Sequence, residues 1–403
     1  MASPVARLRP AIRRYDWGSR RIIADLLRIT DPQTIAEAWF GAHPLAPATV
    51  IGEADEVPLT DWLGDTELPY LLKILSASRP LSIQVHPNAV QARAGFAREE
   101  AAGIPRGARQ RSYRDASPKP ELILALTPFH ALVGLRELHE VVSLLRSLPE
   151  LERVLSPPTG GAAALRTWLG RWLEAPGEAR AAALRGIGAR LHTLAIPAAN
   201  RVLFERLVQE RADAHADPGL LFILVMRLLV LMPGQALFLP AGCVHAYVEG
   251  TGLELMACSD NVVRAGLTSK HIDVGEFLRL VDLSQPTIEI AMGRSVLGDR
   301  VRVFETPASQ FELCILRVES VPLMWASSGH DTLLNIGANP VQVGVGGVIL
   351  PLVPGQACVL PRDTSIELWS EQPTEVFRVS APSDWSAHAS ALRSVADPTP
   401  DGR

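Results

Sequence analysis

The chain has 403 residues, 47% of them hydrophobic and 20% charged, and a formal net charge of −4. That length exceeds what one hydrophobic core usually serves, so two or three lobes are expected, and the composition is too apolar for a disordered chain. The charge balance excludes a general polyanion binder, because nucleic-acid binding needs a basic face that releases counterions; any phosphate handled is small and locally bound.

The N-terminus, MASPVARLRPAIRRYDWGS, has no apolar core of signal-peptide length. From about residue 5 to 130 the chain reads as short apolar runs broken by Pro, Gly and Asp, with predicted strands at LPYLLKIL, LSIQVH and ELILAL. Between about 135 and 230 Leu, Ala, Arg and Glu recur at helical spacing, as in LHEVVSLLRSL and ANRVLFERLVQERADA, and helices are expected there. The most apolar stretch, GLLFILVMRLLVLMP at 219–233, contains Arg227 and is shorter than the ~20 residues that span a bilayer, so it is predicted to be a buried helix, with no membrane partner. Strand character returns at 233 and continues to about 382, and the last residues, 386–403, are expected to form a loose tail. The four cysteines, Cys243, Cys258, Cys314 and Cys358, lack CxxC spacing, which fits a reducing cytoplasm.

Lysine usage is unusual. Of 39 basic residues only Lys73, Lys119 and Lys270 are lysines, and a lysine kept against an arginine background is one whose compact charge or labile proton guanidinium cannot supply. A repeat is also visible: PGQALFLPAG at 233–242 returns as PGQACVLPRD at 354–363, a turn, strand and second turn that suggest two related β barrels. The first copy continues from Gly234 through Pro240 and Gly242 to His245, a spacing that resembles the second signature of the cupin superfamily, whose final histidine binds metal inside the barrel. The second copy has Arg362 and Asp363 and no histidine, so the C-terminal barrel is expected to be metal-free.

In LSIQVHP, Gln84 and His86 stand two residues apart and share one strand face. With Glu121 opening ELILAL, and with His245, they make a mixed N/O ligand set with an open position, for which zinc is the favoured metal.

At these residues the chain resembles the type I mannose-6-phosphate isomerases. The matching segments are YDWGS, AEAWFGAHP, LLKILSASRPLSIQVHP, SPKPELILAL, PAGCVHAY and LELMACSDNVVRAGLTSKHID, in order across roughly residues 15–282. The resemblance implies a mostly β fold with a helical insertion: two cupin-type (double-stranded β-helix, jelly-roll) barrels plus an all-α domain. The catalytic cupin domain is expected at 1–132 together with 233–285, the insertion at 133–232 and the second barrel at 286–385.

It further implies one zinc per chain on Gln84, His86, Glu121 and His245; catalytic roles among Arg264, Lys119, Glu254, Asp260 and Tyr247; and substrate contacts from Ser82, Lys270 and His43. Lys73 lies close by without an assigned role. The activity implied is interconversion of mannose 6-phosphate and fructose 6-phosphate through a cis-enediol, linking glycolysis to GDP-mannose and mannose-based glycans, by a cytoplasmic monomer whose only partner is the sugar phosphate. Isomerisation of another aldose or of an unphosphorylated sugar on the same site, or a non-catalytic sugar-phosphate-binding cupin, stands as the alternative. Carboxylates are the simplest bases for the proton transfer, whereas Tyr247, with an ordinary pKa of about 10, needs strong activation. One departure is Pro118, where family members commonly carry a histidine before Lys-Pro-Glu; ring opening then falls to another group, with His43 the candidate, or to zinc-bound water. A second is Ala42 in FGAHP.

Overall fold

The computed structural model describes residues 5–52, 55–211, 214–284, 288–327 and 329–382; the tail predicted at 386–403 lies outside them. The predicted strands form at Tyr70–Ala77, Ile83–Val85, Glu121–Ala125, Ala236–Leu239, Glu312–Val318 and Gln356–Leu360, and the protein is mostly β with about ten helices. Tyr70–Ala77 is buried along its whole length, which is why its sequence is a continuous apolar run rather than an alternation.

One sheet of eleven strands holds the residues of interest, and the thirteen-residue strand His245–Ala257 is its spine. Its first part pairs with Phe129–Leu135 and with Gln84; its second runs between Tyr70–Ala77 and Glu121–Ala125. The change of partners follows a register shift between Tyr247 and Glu249 and a glycine, Gly250, at φ 125°. A Cβ there would lie 2.7 Å from Pro128 O and 2.8 Å from Phe129 Cα, so only glycine allows the strand to turn this corner.

A nine-stranded sheet is built mainly from residues 294–380, with a four-stranded sheet beside it. Residues Ala6–Arg9 and Thr49–Ile51, which the sequence grouping placed in the first barrel, belong instead to the nine-stranded sheet: Ala6 pairs with Val359 and Arg7 with Ile51. The two large sheets share a core in which Leu72, Leu122 and Leu253 pack with Leu313, Val359 and Phe377. Both copies of the repeat adopt the same unit. Gly234 and Gly355 take positive φ, and Gln235 and Gln356 each turn the side chain back to accept from the backbone N–H three residues earlier, at 2.7 and 3.3 Å. This is a Pro-Gly turn whose open end the glutamine closes.

The expected helices occupy 138–146, 149–152, 162–174, 177–189 and 198–210. The apolar run at 219–233 departs from the prediction, being helix only over Gly219–Val225 and strand over Met226–Leu231. Six residues of that strand pair with Phe129–Leu135, and this cross-strand partner overrides the helical preference of the leucines.

Candidate metal centre and cavity

His245 opens the spine strand, Gln84 lies opposite it, and Arg264 lies opposite Gln84 on the next strand, so three strands set three polar side chains abreast. His86 follows two residues after Gln84. Glu121, on the other side of the spine, completes a fully buried cluster with His86 and His245 whose ligand atoms lie within 4.8 Å of one another.

His86 Nδ1 lies 2.8 Å from Asn261 O and His245 Nδ1 lies 3.0 Å from Cys243 O. A backbone carbonyl can only accept, so both rings carry their proton on Nδ1 and turn a lone pair on Nε2 toward Glu121. Each Nε2 is 3.3 Å from one of the Glu121 oxygens. A tetrahedral ion with bonds of 2.0–2.1 Å separates its ligand atoms by about 3.3 Å. Glu121 Oε2 and His245 Nε2 are buried without a hydrogen-bond partner, a cost that a cation between them removes. The set therefore fits zinc, with Gln84, which lines the cavity beside it, as the neutral fourth donor.

Ionisation agrees with that role. Burial, reinforced by the Lys119 ammonium, lowers His86 to about 4, so its ring is neutral at physiological pH. Burial alone would raise the Glu121 carboxyl, but Lys119 and the imidazoles hold it well below the usual carboxylate range. Lys119 Nζ contacts Glu121 Oε1 and lies 3.5 Å from His86 Nε2.

Above this cluster opens a cavity of about 870 Å³ lined by Ser82, Gln84, Lys119, Glu121, Tyr247, Glu254, Asp260, Arg264 and Lys270. The structure thus brings together nearly every site residue expected from sequence. His43 sits just behind, its Nε2 3.5 Å from Asp260 Oδ1 and its Nδ1 accepting from Leu45 N at 3.2 Å. Burial would raise the Asp260 carboxyl, but the hydrogen bond from His43 brings it below its ordinary value. Tyr247 is fully buried with no hydrogen-bond partner on its hydroxyl, and burial plus the charges of Glu254 and Glu121 push that hydroxyl well above 10.

One end of the cavity is cationic. Arg114, Arg264 and Lys270 line it and make no ion pair among the described residues. Burial, and then repulsion from Arg114, lowers Arg264, while burial and the two arginines lower Lys270. An anion bound among them relieves this mutual repulsion.

Other residues were not assigned from sequence. Lys73 Nζ lies 2.7 Å from Glu254 Oε2 and 3.7 Å from Glu37 Oε1, with the Trp39 ring 5.1 Å away. Trp39 Nε1 donates to Glu37 Oε2 at 2.9 Å. Burial, with Lys73 opposing it, raises the Glu254 carboxyl; Lys73 itself would be lowered by burial but is raised by the two carboxylates. The scarcity of lysine was the available signal, since all three lysines line this one cavity. Asn261, fully buried, gave none. Its Oδ1 accepts from Arg114 N at 2.8 Å, its Nδ2 donates to Ser117 O at 2.9 Å, and its carbonyl orients His86. Pro118, where a histidine was expected, is half-buried beside Lys119.

An imidazole–carboxylate metal site beneath a cavity with a cationic end defines a metal-binding β protein built to take a small anion. The comparisons with known proteins narrow that class. Residues 5–138 match the phosphomannose isomerase type I catalytic domain. The chain is 39% identical over 366 residues to a mannose-6-phosphate isomerase of Escherichia coli, covering 83% of this chain and 92% of that one. It is 33% identical to the human mannose-6-phosphate isomerase, covering 90% and 92% of the two chains. A crystal structure of the Salmonella typhimurium mannose 6-phosphate isomerase bound to its substrate fructose 6-phosphate and zinc superposes with a TM-score of 0.81 at 31% identity, covering 94% of this chain and all of that one. The chain belongs to the type I mannose-6-phosphate isomerase family.

Proposed function

We propose that this protein interconverts mannose 6-phosphate and fructose 6-phosphate. The observation that carries the reading is the coexistence, in one cavity, of the His86–Glu121–His245 cluster, the Lys73–Glu254 pair and the unpaired cations Arg114, Arg264 and Lys270. His86, His245 and Glu121, with Gln84 as a fourth donor, would hold zinc. When bound, zinc supplies a Lewis acid that orients the sugar oxygens and stabilises charge as the enediolate develops.

The remaining steps are those of the chain. Arg264 and Lys270 take the phosphate, with Arg114 at its edge and Ser82 as a neutral donor. A base must remove a proton from one carbon and return it to the neighbour on the same face. Glu254 is that base: burial raises its carboxyl and so its affinity for a proton, while Lys73, 2.7 Å from Oε2, opposes that rise. Burial and the neighbouring carboxylates raise the Tyr247 hydroxyl, which suits it to donate rather than accept a proton, and Asp260, lowered by the hydrogen bond from His43, is a poorer proton acceptor. Asp260 lines the cavity with His43 behind it at 3.5 Å, and His43 acting through Asp260 takes the ring-opening role in place of the histidine replaced by Pro118.

The reading extends to architecture and setting. The eleven-stranded sheet and the nine-stranded sheet with its four-stranded neighbour correspond to two cupin-type barrels, the helices of 133–232 to an insertion, and the second barrel lacks ligands at Arg362 and Asp363. No described helix is long and apolar enough to cross a membrane, and the four cysteines are free; the setting that goes with the reading is a cytoplasmic enzyme feeding GDP-mannose.

The test is a coupled assay on mannose 6-phosphate with chelator and zinc add-back. Chelator-sensitive turnover restored by zinc is expected, and Glu254→Gln should retain zinc while losing about 10²–10⁴ in kcat. Full activity in demonstrably zinc-free protein would sink the assignment.

A further inference from the structure

The strand Val263–Gly266 carries Arg264, and the loop that follows it carries Lys270. That loop begins on an unfavourable path. Leu267, which is buried, has φ 52°, in the left-handed region that side chains with a Cβ avoid. Such a conformation persists only where its surroundings over-determine it.

Here one buried carboxylate from the helical segment does so. Asp217 Oδ1 accepts from Leu267 N at 2.8 Å and from Gly219 N at 2.8 Å, and Oδ2 accepts from Thr268 N at 3.2 Å. Arg211 Nη1 lies 3.2 Å from the same Oδ2. Behind these bonds the two backbones touch: a Cβ on Gly266 would lie 2.3 Å from Gly219 Cα, and one on Gly219 would lie 2.6 Å from Leu267 N. The constraint passes on, because Thr268 Oγ1 accepts from Lys270 N at 3.0 Å. Leu267, Thr268, Ser269, Lys270 and Arg211 line the cavity, with Asp217 behind them.

We propose that Asp217 is a positioning residue for phosphate binding: it fixes the backbone of Leu267 and Thr268 so that Lys270 and Arg264 face the substrate, and Arg211 neutralises it so that it does not repel the anion. The helical segment thereby acts in substrate recognition. This rests on the sugar-phosphate reading above.

Asp217→Asn keeps the shape and one acceptor oxygen but turns N–H groups toward Thr268 N–H and Arg211. The KM for mannose 6-phosphate and the inhibition constant of inorganic phosphate should rise together by about tenfold, with kcat changed less than about threefold. Zinc content should be unchanged. Hydrogen exchange gives a measurement independent of activity: the Leu267 and Thr268 amides should exchange about tenfold faster in the variant, with those of Tyr70–Ala77 unaltered. Gly219→Ala, which pushes on Leu267 while leaving the carboxylate, should reproduce the pattern if Asp217→Asn does not fold. Unchanged KM, inhibition constant and exchange would overturn the proposal, as would a parallel loss of kcat and zinc, the mark of a merely structural role. If the wild-type protein turns over no mannose 6-phosphate, the functional reading fails separately, and phosphate binding together with exchange still decides the role of Asp217.

Discussion

Lys73→Met removes the cation held between the buried carboxylates of Glu254 and Glu37. With Nζ 2.7 Å from Glu254 and 3.7 Å from Glu37, an effective dielectric of about 20 gives roughly 6 and 4 kcal/mol of attraction. Much of that is offset by the cost of burying three charges. Deleting one partner of a buried pair typically destabilises by about 3–5 kcal/mol, because the partner is left uncompensated. The exposure of the Glu254 and Glu37 side chains, 5% and 8%, gives water little chance to compensate. Relief comes by protonating Glu254, which burial already favours, and a protonated base cannot accept the substrate proton. The variant should therefore lose stability in denaturant melts and at least about 10² in kcat, with zinc retained. The double variant Lys73→Met/Glu254→Gln also removes the Glu254 charge and should recover part of the stability but none of the activity, with Glu37 left to its hydrogen bond from Trp39. A single variant destabilised by less than about 1 kcal/mol, or a double variant as unstable as the single, would refute the argument.

Arg264→Ala should keep zinc and fold while losing about 10–100-fold in kcat/KM, the worth of a charge-assisted contact, and its response to inorganic phosphate should weaken in parallel. In chelator-treated protein, stability should fall from pH 7 to pH 4: the unfolded imidazole of His86 takes a proton near 6.5 and the folded one only near 4, so the unfolded state holds more protons in that window. The loss is about 3 kcal/mol, and pH-independent melts across the window would contradict it. Gly250→Ala should destabilise by about 2–4 kcal/mol through positive φ and collision with Pro128 and Phe129, measured by thermal melts; a neutral effect would mean that the spine strand does not need its corner.

Much of the site was legible because its chemistry is written locally. Gln84 and His86 announce a shared strand face, the PGQA repeat announces its own turn, and the ligand types announce a metal. What remained hidden depends on contacts between distant segments. The Glu37–Lys73–Glu254 triad arises because three adjacent strands place Trp39 opposite Lys73 and Lys73 opposite Glu254, and register between strands far apart in sequence leaves no local mark. Asn261 and Asp217 look like ordinary loop residues; their importance lies in the backbone groups they hold. The run at 219–233 misled for the same reason, since a leucine-rich stretch is helical until a strand is waiting for it.

The pairing of Ala6–Arg9 with Gln356–Leu360 and Thr49–Ile51 also orders events during synthesis. The strand Ala6–Arg9 leaves the ribosome roughly 350 residues ahead of its sheet partner Gln356–Leu360, a delay of some tens of seconds at ordinary elongation rates. Until then Ala6–Arg9 and its neighbour present an open strand edge, the kind of surface on which nascent chains cross-associate. A chain cut short after the metal centre, though it would contain every ligand, should therefore emerge sticky rather than minimal, and attempts to pare this protein down to its chemistry would fail at translation before they failed at catalysis.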